Sequence, residues 1–278
     1  MSIETPSGKG AGDENFPVGS FLLPKHLRPH IARYYAFARA IDDIADNPDL
    51  PANEKSKRLA MMDDVVSGRS DPEAGLEVAA RMRESLIDTD ITARHCSDLV
   101  DAFQQDVVKN RYADWDEVIG YCMRSASPVG RYLLDLHGEN NKDYVYSDAL
   151  CNALQVINHL QDCGKDFQQM NRVYLPEPWL NAAGAKVEDL SKPHASPGVR
   201  AVIDLCLEGT RELLVTADKL PGALNSKRLA MESATIITVA HKLVDELSRR
   251  DPLAERIELT KAQYAWCLLR GCAQGLTS

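Results

Sequence analysis

The stretch INHLQDCGKDFQQMNRVYLP, residues 157–176, sets Asp162 and Asp166 four residues apart, with Asn158 four residues before the first of them. Gln155, Asn158, Asp162 and Asp166 stand at i, i+3, i+7 and i+11, which on a helix is one face. The residues on the other faces, Val156, Ile157 and Leu160 among them, are those of a core. A second stretch repeats the pattern: FARAIDDIADNP at 37–48 carries Asp42 and Asp46 four apart, and Tyr35, Arg39, Asp42 and Asp46 again share one face. Two polar stripes therefore run along helices whose remaining surfaces are apolar.

Outward from these stretches the apolar residues keep recurring at three and four. Leu27, Ile31, Tyr34, Tyr35 and Ala38 do so in one segment, Leu99, Ala102, Phe103 and Val107 in another, and Ile236, Ile237, Ala240, Leu243, Val244 and Leu247 in a third. Strand alternation is nearly absent. Breaks at 47–53, 67–75, 136–144, 175–198, 220–226 and 249–254 leave about eight to ten helices. The expected fold is one all-α domain over residues 15–278, after a small, polar, Gly-rich disordered tail at 1–14. The stretch 181–198 reads as a surface excursion. Pro128 in MRSASPVGRYLL is expected to kink its helix. LTKAQYAWCLLRG near the end reads as an amphipathic helix serving core packing before any membrane contact, with Tyr264 and Trp266 as further pocket-lining candidates.

Composition narrows the chemistry. In 278 residues, 44% of them hydrophobic, there is enough apolar surface for a sizeable core. A formal charge of −9 with no basic run excludes an electrostatic grip on nucleic acid. Seven cysteines without a C-x-x-C spacing fit reduced thiols in the cytoplasm. The N-terminus lacks the apolar run of a signal peptide, and no stretch approaches a membrane span, so membrane contact is peripheral at most.

Acids at i, i+4 are ordinary on solvated helix faces, where Lys or Arg follows at i+4. Here Asp42 is followed at i+4 by Asp46, and Asp162 by Asp166. Like charges at that spacing repel, and a cation is the natural compensation. Carboxylates with one amide carbonyl form an oxygen-only set suited to Mg²⁺, which keeps several waters and is commonly completed by substrate phosphate. The H-x-x-x-H pair His26/His30 lies outside both stripes, which themselves carry no histidine or cysteine, so the donors zinc favours are missing from them. In formal charges, about −4 from four aspartates and about −3 from a diphosphate ester nearly balance about +6 from three Mg²⁺.

YAFARAIDDIAD, YCMRSASPVG and QVINHLQDCGKDFQQMNRVYLP together resemble the squalene/phytoene synthase family, head-to-head prenyl transferases with an all-α isoprenoid-synthase fold. The likeness runs from ENFPVGSFLLP at 14–24 to the end of the chain. It implies that Asp42, Asp46, Asp162 and Asp166 are Mg²⁺ ligands of the catalytic centre and that Asn158 also contacts metal. It further implies that Tyr35, Arg39, Gln155 and Arg172 bind the diphosphate and line the reaction centre, that Tyr121 faces the carbocation, and that Asn15 and Phe16 begin the first helix beside the substrate. Six residues separate Arg172 from Asp166 where many relatives have five, and Gln161 stands where several relatives carry Arg. NFPVGSFLLP, HLQDC and RVYLP are similar to the hopanoid-associated branch, in which presqualene diphosphate loses diphosphate and water captures the cation to give hydroxysqualene. That branch implies Mg²⁺ without NADPH, and substrate handed over by a presqualene diphosphate synthase. Condensing relatives that make presqualene diphosphate, phytoene or dehydrosqualene keep the same aspartates. A non-catalytic prenyl-lipid carrier would need no metal clamp. A cyclising terpene synthase would share the clamp, but the Tyr35/Arg39 pair and the DCGKD form favour the head-to-head family.

Overall fold

The computed structural model describes residues 22–277, and these are helical almost throughout, with no strand among them. The tail expected at 1–14, and the candidates Asn15 and Phe16, lie outside the described residues. In chain order the helices are α1 (Arg28–Asp46), α2 (Ala52–Val66), α3 (Glu77–Thr89), α4 (Arg94–Val108), α5 (Trp115–Ser125), α6 (Ser127–Leu136) and α7 (Tyr144–Gln161). They continue with α8 (Cys163–Met170), α9 (Glu177–Ala182), α10 (Pro197–Ala217), α11 (Leu220–Ala223), α12 (Lys227–Leu247) and α13 (Lys261–Thr277). The described residues thus hold more helices than the expected eight to ten, because pieces as short as α9 and α11, of 6 and 4 residues, fall inside stretches that read as loops.

Two compact units divide the chain. The first comprises the residues up to Lys109 together with Pro128–Asn141, and the second Asn110–Ser127 together with the residues from Lys142 onward. In the first unit α1 turns Ile31, Phe37, Ile41 and Ile44 inward against α3 and α4. Burial of such side chains is worth about 1.5–3 kcal/mol each. Tyr34 of α1 stacks on Tyr132 of α6 with ring centroids 4.1 Å apart and donates its hydroxyl to the His95 carbonyl at 3.2 Å. The helix stops at Asn47, extended at ψ 115°, because Pro48 follows and disfavours helical backbone before it.

In the second unit α7 is central and is packed by α5, α8, α10 and α12. Ser196 and Ser226 cap α10 and α12, each accepting a backbone N–H at 3.3 Å. The stretch 181–198 is not a free excursion: it contains a 3₁₀ turn at Val187–Ser191 whose Leu190 is fully buried. Pro128 does not kink a continuous helix either. α5 ends at Ser125, Ala126 leaves helical geometry at φ −126°, and Pro128 falls in the first turn of α6, where its missing N–H costs nothing.

The last helix packs on α12 through glycines. A Cβ at Gly271 would lie 2.3 Å from the Thr235 Cα, and one at Gly275 2.5 Å from the Met231 Cα, so the two backbones touch where a side chain would stand. This is the expected packing role of the C-terminal helix, yet its outer face leaves Trp266, Leu269 and Leu276 exposed. Trp266 joins Ile237, His241, Lys242 and Arg270 around an open groove of about 440 Å³. No helix among the described residues is long and apolar enough to cross a membrane.

Two glycine substitutions of opposite sign test this packing. Gly120→Ala, on α5 with nothing within 4 Å of the added carbon, is expected to stabilise by up to about 1 kcal/mol. Gly271→Ala gains the same helix propensity but forces α13 off α12, and is expected to destabilise by about 1–3 kcal/mol. Thermal or urea unfolding of both variants checks the pair; equal shifts would contradict it.

Candidate active site

Helix α1 carries its stripe as expected. Tyr35, Arg39, Asp42 and Asp46 are all half-buried, between the core face and solvent. Arg39 bridges two carboxylates: its Nη2 lies 2.6 Å from Asp42 Oδ2 and 3.1 Å from Asp43 Oδ1, and its Nε donates to the same Asp43 oxygen at 3.2 Å. Asp43 is buried, so this pair orients the guanidinium from beneath while Asp42 remains partly accessible. Asp43 was not among the sequence candidates, although the i, i+4 spacing from Arg39 was the signal for it.

The second stripe differs in one respect from a single helix. α7 ends at Gln161 and α8 starts at Cys163, and Asp162 joins them with φ −103° and ψ 8°. The hydrogen bonds nevertheless carry through: Asp162 N–H donates to the Asn158 carbonyl at 3.0 Å, and Asp166 N–H to the Asp162 carbonyl at 2.8 Å. Gly164 lets α8 lie close to the 3₁₀ turn, since a Cβ there would meet the Leu190 carbonyl oxygen at 3.1 Å and a Leu253 methyl at 2.8 Å. Gln155, Asn158, Asp162 and Asp166 are all half-buried, and the Asp162 side chain is 48% exposed with Lys165 Nζ 4.0 Å away. A pair this open is worth little, leaving Asp162 available to another cation. Gln161, where several relatives have Arg, donates to the Ile257 carbonyl at 2.5 Å and so ties the end of α7 to the segment before α13.

The extra residue before Arg172 has a structural reading. Asn171 closes α8 in the left-handed conformation at φ 52°, and the Arg172 N–H then returns to the Asp166 carbonyl at 3.2 Å. Arg111 holds that turn, donating to the Asn171 side-chain oxygen at 2.6 Å. Arg172 itself is buried, so its charge is delivered into a low-dielectric setting.

Beyond Arg172 the chain runs extended, pinned to the segment before α5 by Val173 N–H to the Asn110 carbonyl at 3.0 Å and Glu177 N–H to the Tyr112 carbonyl at 3.1 Å. This brings three buried tyrosines together. Tyr174 lies 5.4 Å from both Tyr112 and Tyr121 by ring centroid, and its hydroxyl donates to that of Tyr121 at 3.5 Å. His159 stacks on Tyr174 at 3.4 Å and 14°. Tyr121 was a sequence candidate; Tyr112 and Tyr174 were not, although RVYLP contains the latter. Burial, reinforced by the positive charge of Arg172, pushes the His159 imidazole down to about 3. It therefore stays neutral at physiological pH.

Tyr35, Arg39, Asp42 and Asp46 belong to the first unit, and Tyr121, Gln155, Asn158, Asp162, Asp166 and Arg172 to the second. Among the described residues no three His, Cys, Asp or Glu side chains gather closely enough to hold a metal by themselves. Each stripe taken by itself has donors of the type that suits Mg²⁺: a half-exposed carboxylate pair on the first, and a half-exposed carboxylate pair with one amide on the second. Softer donors are absent from the stripes, and burial pushes the Cys163 thiol inside DCGKD up to about 12.

Comparison with known proteins extends over nearly the whole chain. The squalene/phytoene synthase family profile matches residues 10–263. A hydroxysqualene synthase of Zymomonas mobilis is 44% identical over 259 residues, 92% of this chain and 86% of that protein. A hydroxysqualene synthase of Rhodopseudomonas palustris is 43% identical over 265 residues, 94% of this chain and 88% of its own. The crystal structure of a squalene synthase from Alicyclobacillus acidocaldarius superposes with a TM-score of 0.73 at 27% identity, covering 84% of this chain and 87% of that one. A dehydrosqualene synthase gives 0.76 at 18% identity over 94% and 91%, a likeness of fold alone. The chain therefore has the all-α isoprenoid-synthase fold.

The depressed His159 sets a pH dependence. The unfolded chain binds a proton near the ordinary value of about 6.5, whereas the folded state resists it until about 3. Stability from this group is present above 6.5 and is lost as pH falls, by roughly 1.4 kcal/mol per pH unit between the two values. Denaturant melts from pH 7 to 4.5 are expected to show wild type losing stability faster than His159→Phe. Parallel losses would contradict the assignment.

Proposed function

As the chain belongs to the squalene/phytoene synthase family, we propose that it converts presqualene diphosphate to hydroxysqualene and diphosphate. The observation that carries this reading is the 40–44% identity to three hydroxysqualene synthases over about nine-tenths of the chain, with both aspartate pairs present on half-exposed stripes. The substrate comes from an enzyme that condenses two farnesyl diphosphates. The work is done in the cytoplasm with at most peripheral membrane contact.

The reaction begins with heterolysis of the carbon–oxygen bond, whose electron pair leaves with the diphosphate. Asp42 and Asp46 on one stripe, and Asn158, Asp162 and Asp166 on the other, are the residues that would hold Mg²⁺. When bound, the metal would supply Lewis-acid neutralisation of the charge that grows on the leaving group. Arg39, held by Asp43, needs no reorganisation to offer its positive charge to the diphosphate, and the buried Arg172 is a second source of such charge. Tyr35 and Gln155 line the diphosphate side. The rings around Tyr121 face the cation and exclude bulk water, so the cyclopropane rearranges before capture. Water then adds to the cation, and no hydride donor is consumed. Condensing relatives share these residues, and substrate choice is the experimental distinction.

Two outcomes are expected of purified protein. EDTA abolishes diphosphate release from presqualene diphosphate and Mg²⁺ restores it, and Asp162→Ala lowers turnover at least about 10²-fold with little change in melting temperature. Asp42→Ala loses activity comparably, while Arg39 keeps its buried partner Asp43 and the helix stays folded. NADPH leaves the rate unchanged. Full turnover in EDTA ends the metal reading, and efficient condensation of farnesyl diphosphate alone moves the protein to a neighbouring branch.

A further inference from the structure

The buried polar groups of α7 are unevenly satisfied. Asn152 receives the Ser127 hydroxyl at 3.0 Å and gives its own amide to Met123 Sδ at 3.2 Å. His159, two turns on, is 8% exposed, and its Nε2 meets no protein group within hydrogen-bonding reach. Leaving such an atom unpaired is costly, so a native structure that retains one usually uses it. Its surroundings indicate the use. The ring lies against Tyr174 at 3.4 Å and near Tyr121 at 6.0 Å, and those two tyrosines bring their hydroxyls together. On the helix wheel His159 flanks Gln155 and Asp162, within about 60° of each, so it borders the stripe that faces the diphosphate.

We propose that His159 and the Tyr121 and Tyr174 hydroxyls bind one ordered water, and that this water is the oxygen donor of the reaction. The inference rests on the hydroxysqualene reading above. A buried water needs two to four polar partners, and these three groups supply three. Donating one O–H to Nε2 holds the water in place and leaves an oxygen lone pair to form the new carbon–oxygen bond. The oxonium so formed passes its proton to the released diphosphate, and the products are the C30 alcohol and monoprotonated diphosphate. The same water is one molecule in a wall of rings, which explains how a cation shielded from solvent is quenched once and at one carbon. His159 is therefore a specificity-determining residue: it decides alcohol against hydrocarbon and leaves ionisation to the aspartates and arginines.

The test is the product ratio from presqualene diphosphate with Mg²⁺, read by mass spectrometry alongside total diphosphate release. His159→Phe keeps the stack on Tyr174 and removes the water's acceptor. It is expected to keep diphosphate release within a few-fold while the share of C30 alcohol falls about tenfold, replaced by C30 hydrocarbon formed by proton loss from the cation. Tyr174→Phe, which also keeps the stack, is expected to lower the alcohol share in the same direction, and His159→Gln to retain more alcohol than His159→Phe. An unchanged alcohol share in folded His159→Phe, or in Tyr174→Phe should the first variant not fold, overturns the proposal. Wild type that releases diphosphate but makes no alcohol overturns instead the reading on which it rests.

Discussion

The structure turns on carboxylates placed four residues apart in helices whose other faces are core. Asp42 and Asp46 on α1, and Asp162 and Asp166 across the α7–α8 junction, repel one another, and neither pair can be sunk inward or freely solvated without losing the helix packing beside it. The chain answers with fixed cations. Arg39 sits between Asp42 and the buried Asp43, and Arg172 is returned toward Asp166 by the left-handed Asn171. Arg39 is thereby oriented before any ligand arrives, and an oriented charge that need not reorganise is the kind that stabilises a developing anion.

α7 serves two purposes at once. Ala153, Val156, Ile157 and Leu160 bury it, while Gln155, Asn158 and the junction residue Asp162 stay half-exposed. Between these faces stands His159, which carries the aromatic cluster. Tyr112, Tyr121 and Tyr174 come from separate stretches, and backbone hydrogen bonds between residues 110–112 and 173–177 set their spacing. A dry, π-rich wall next to a charged stripe suits a cation born beside its own leaving group.

Much of this was legible in the sequence, and for a physical reason. Helical periodicity is local, so the all-α class and the two polar stripes that carry Asp42, Asp46, Asn158, Asp162 and Asp166 follow from spacing, while their half-exposed setting is a product of the packing around them. What was not legible depends on long-range or special backbone geometry. The break at Asp162, the left-handed Asn171 and the burial of Leu190 depend on partners distant in sequence or on dihedral angles that composition does not specify. Tyr112 and Tyr174 were missed because lone tyrosines carry no period, and they gain meaning when two extended segments pair. Asp43 was passed over for its neighbour Asp42, since reading the stripe favoured the exposed face over the buried partner that orients Arg39.

The central claim is that water, and not a hydride, ends the reaction. The most direct measurement is the mass of the C30 product formed from presqualene diphosphate in H₂¹⁸O with Mg²⁺ and no NADPH. The account predicts an alcohol carrying one ¹⁸O. An unlabelled hydrocarbon that forms only when NADPH is supplied would contradict it.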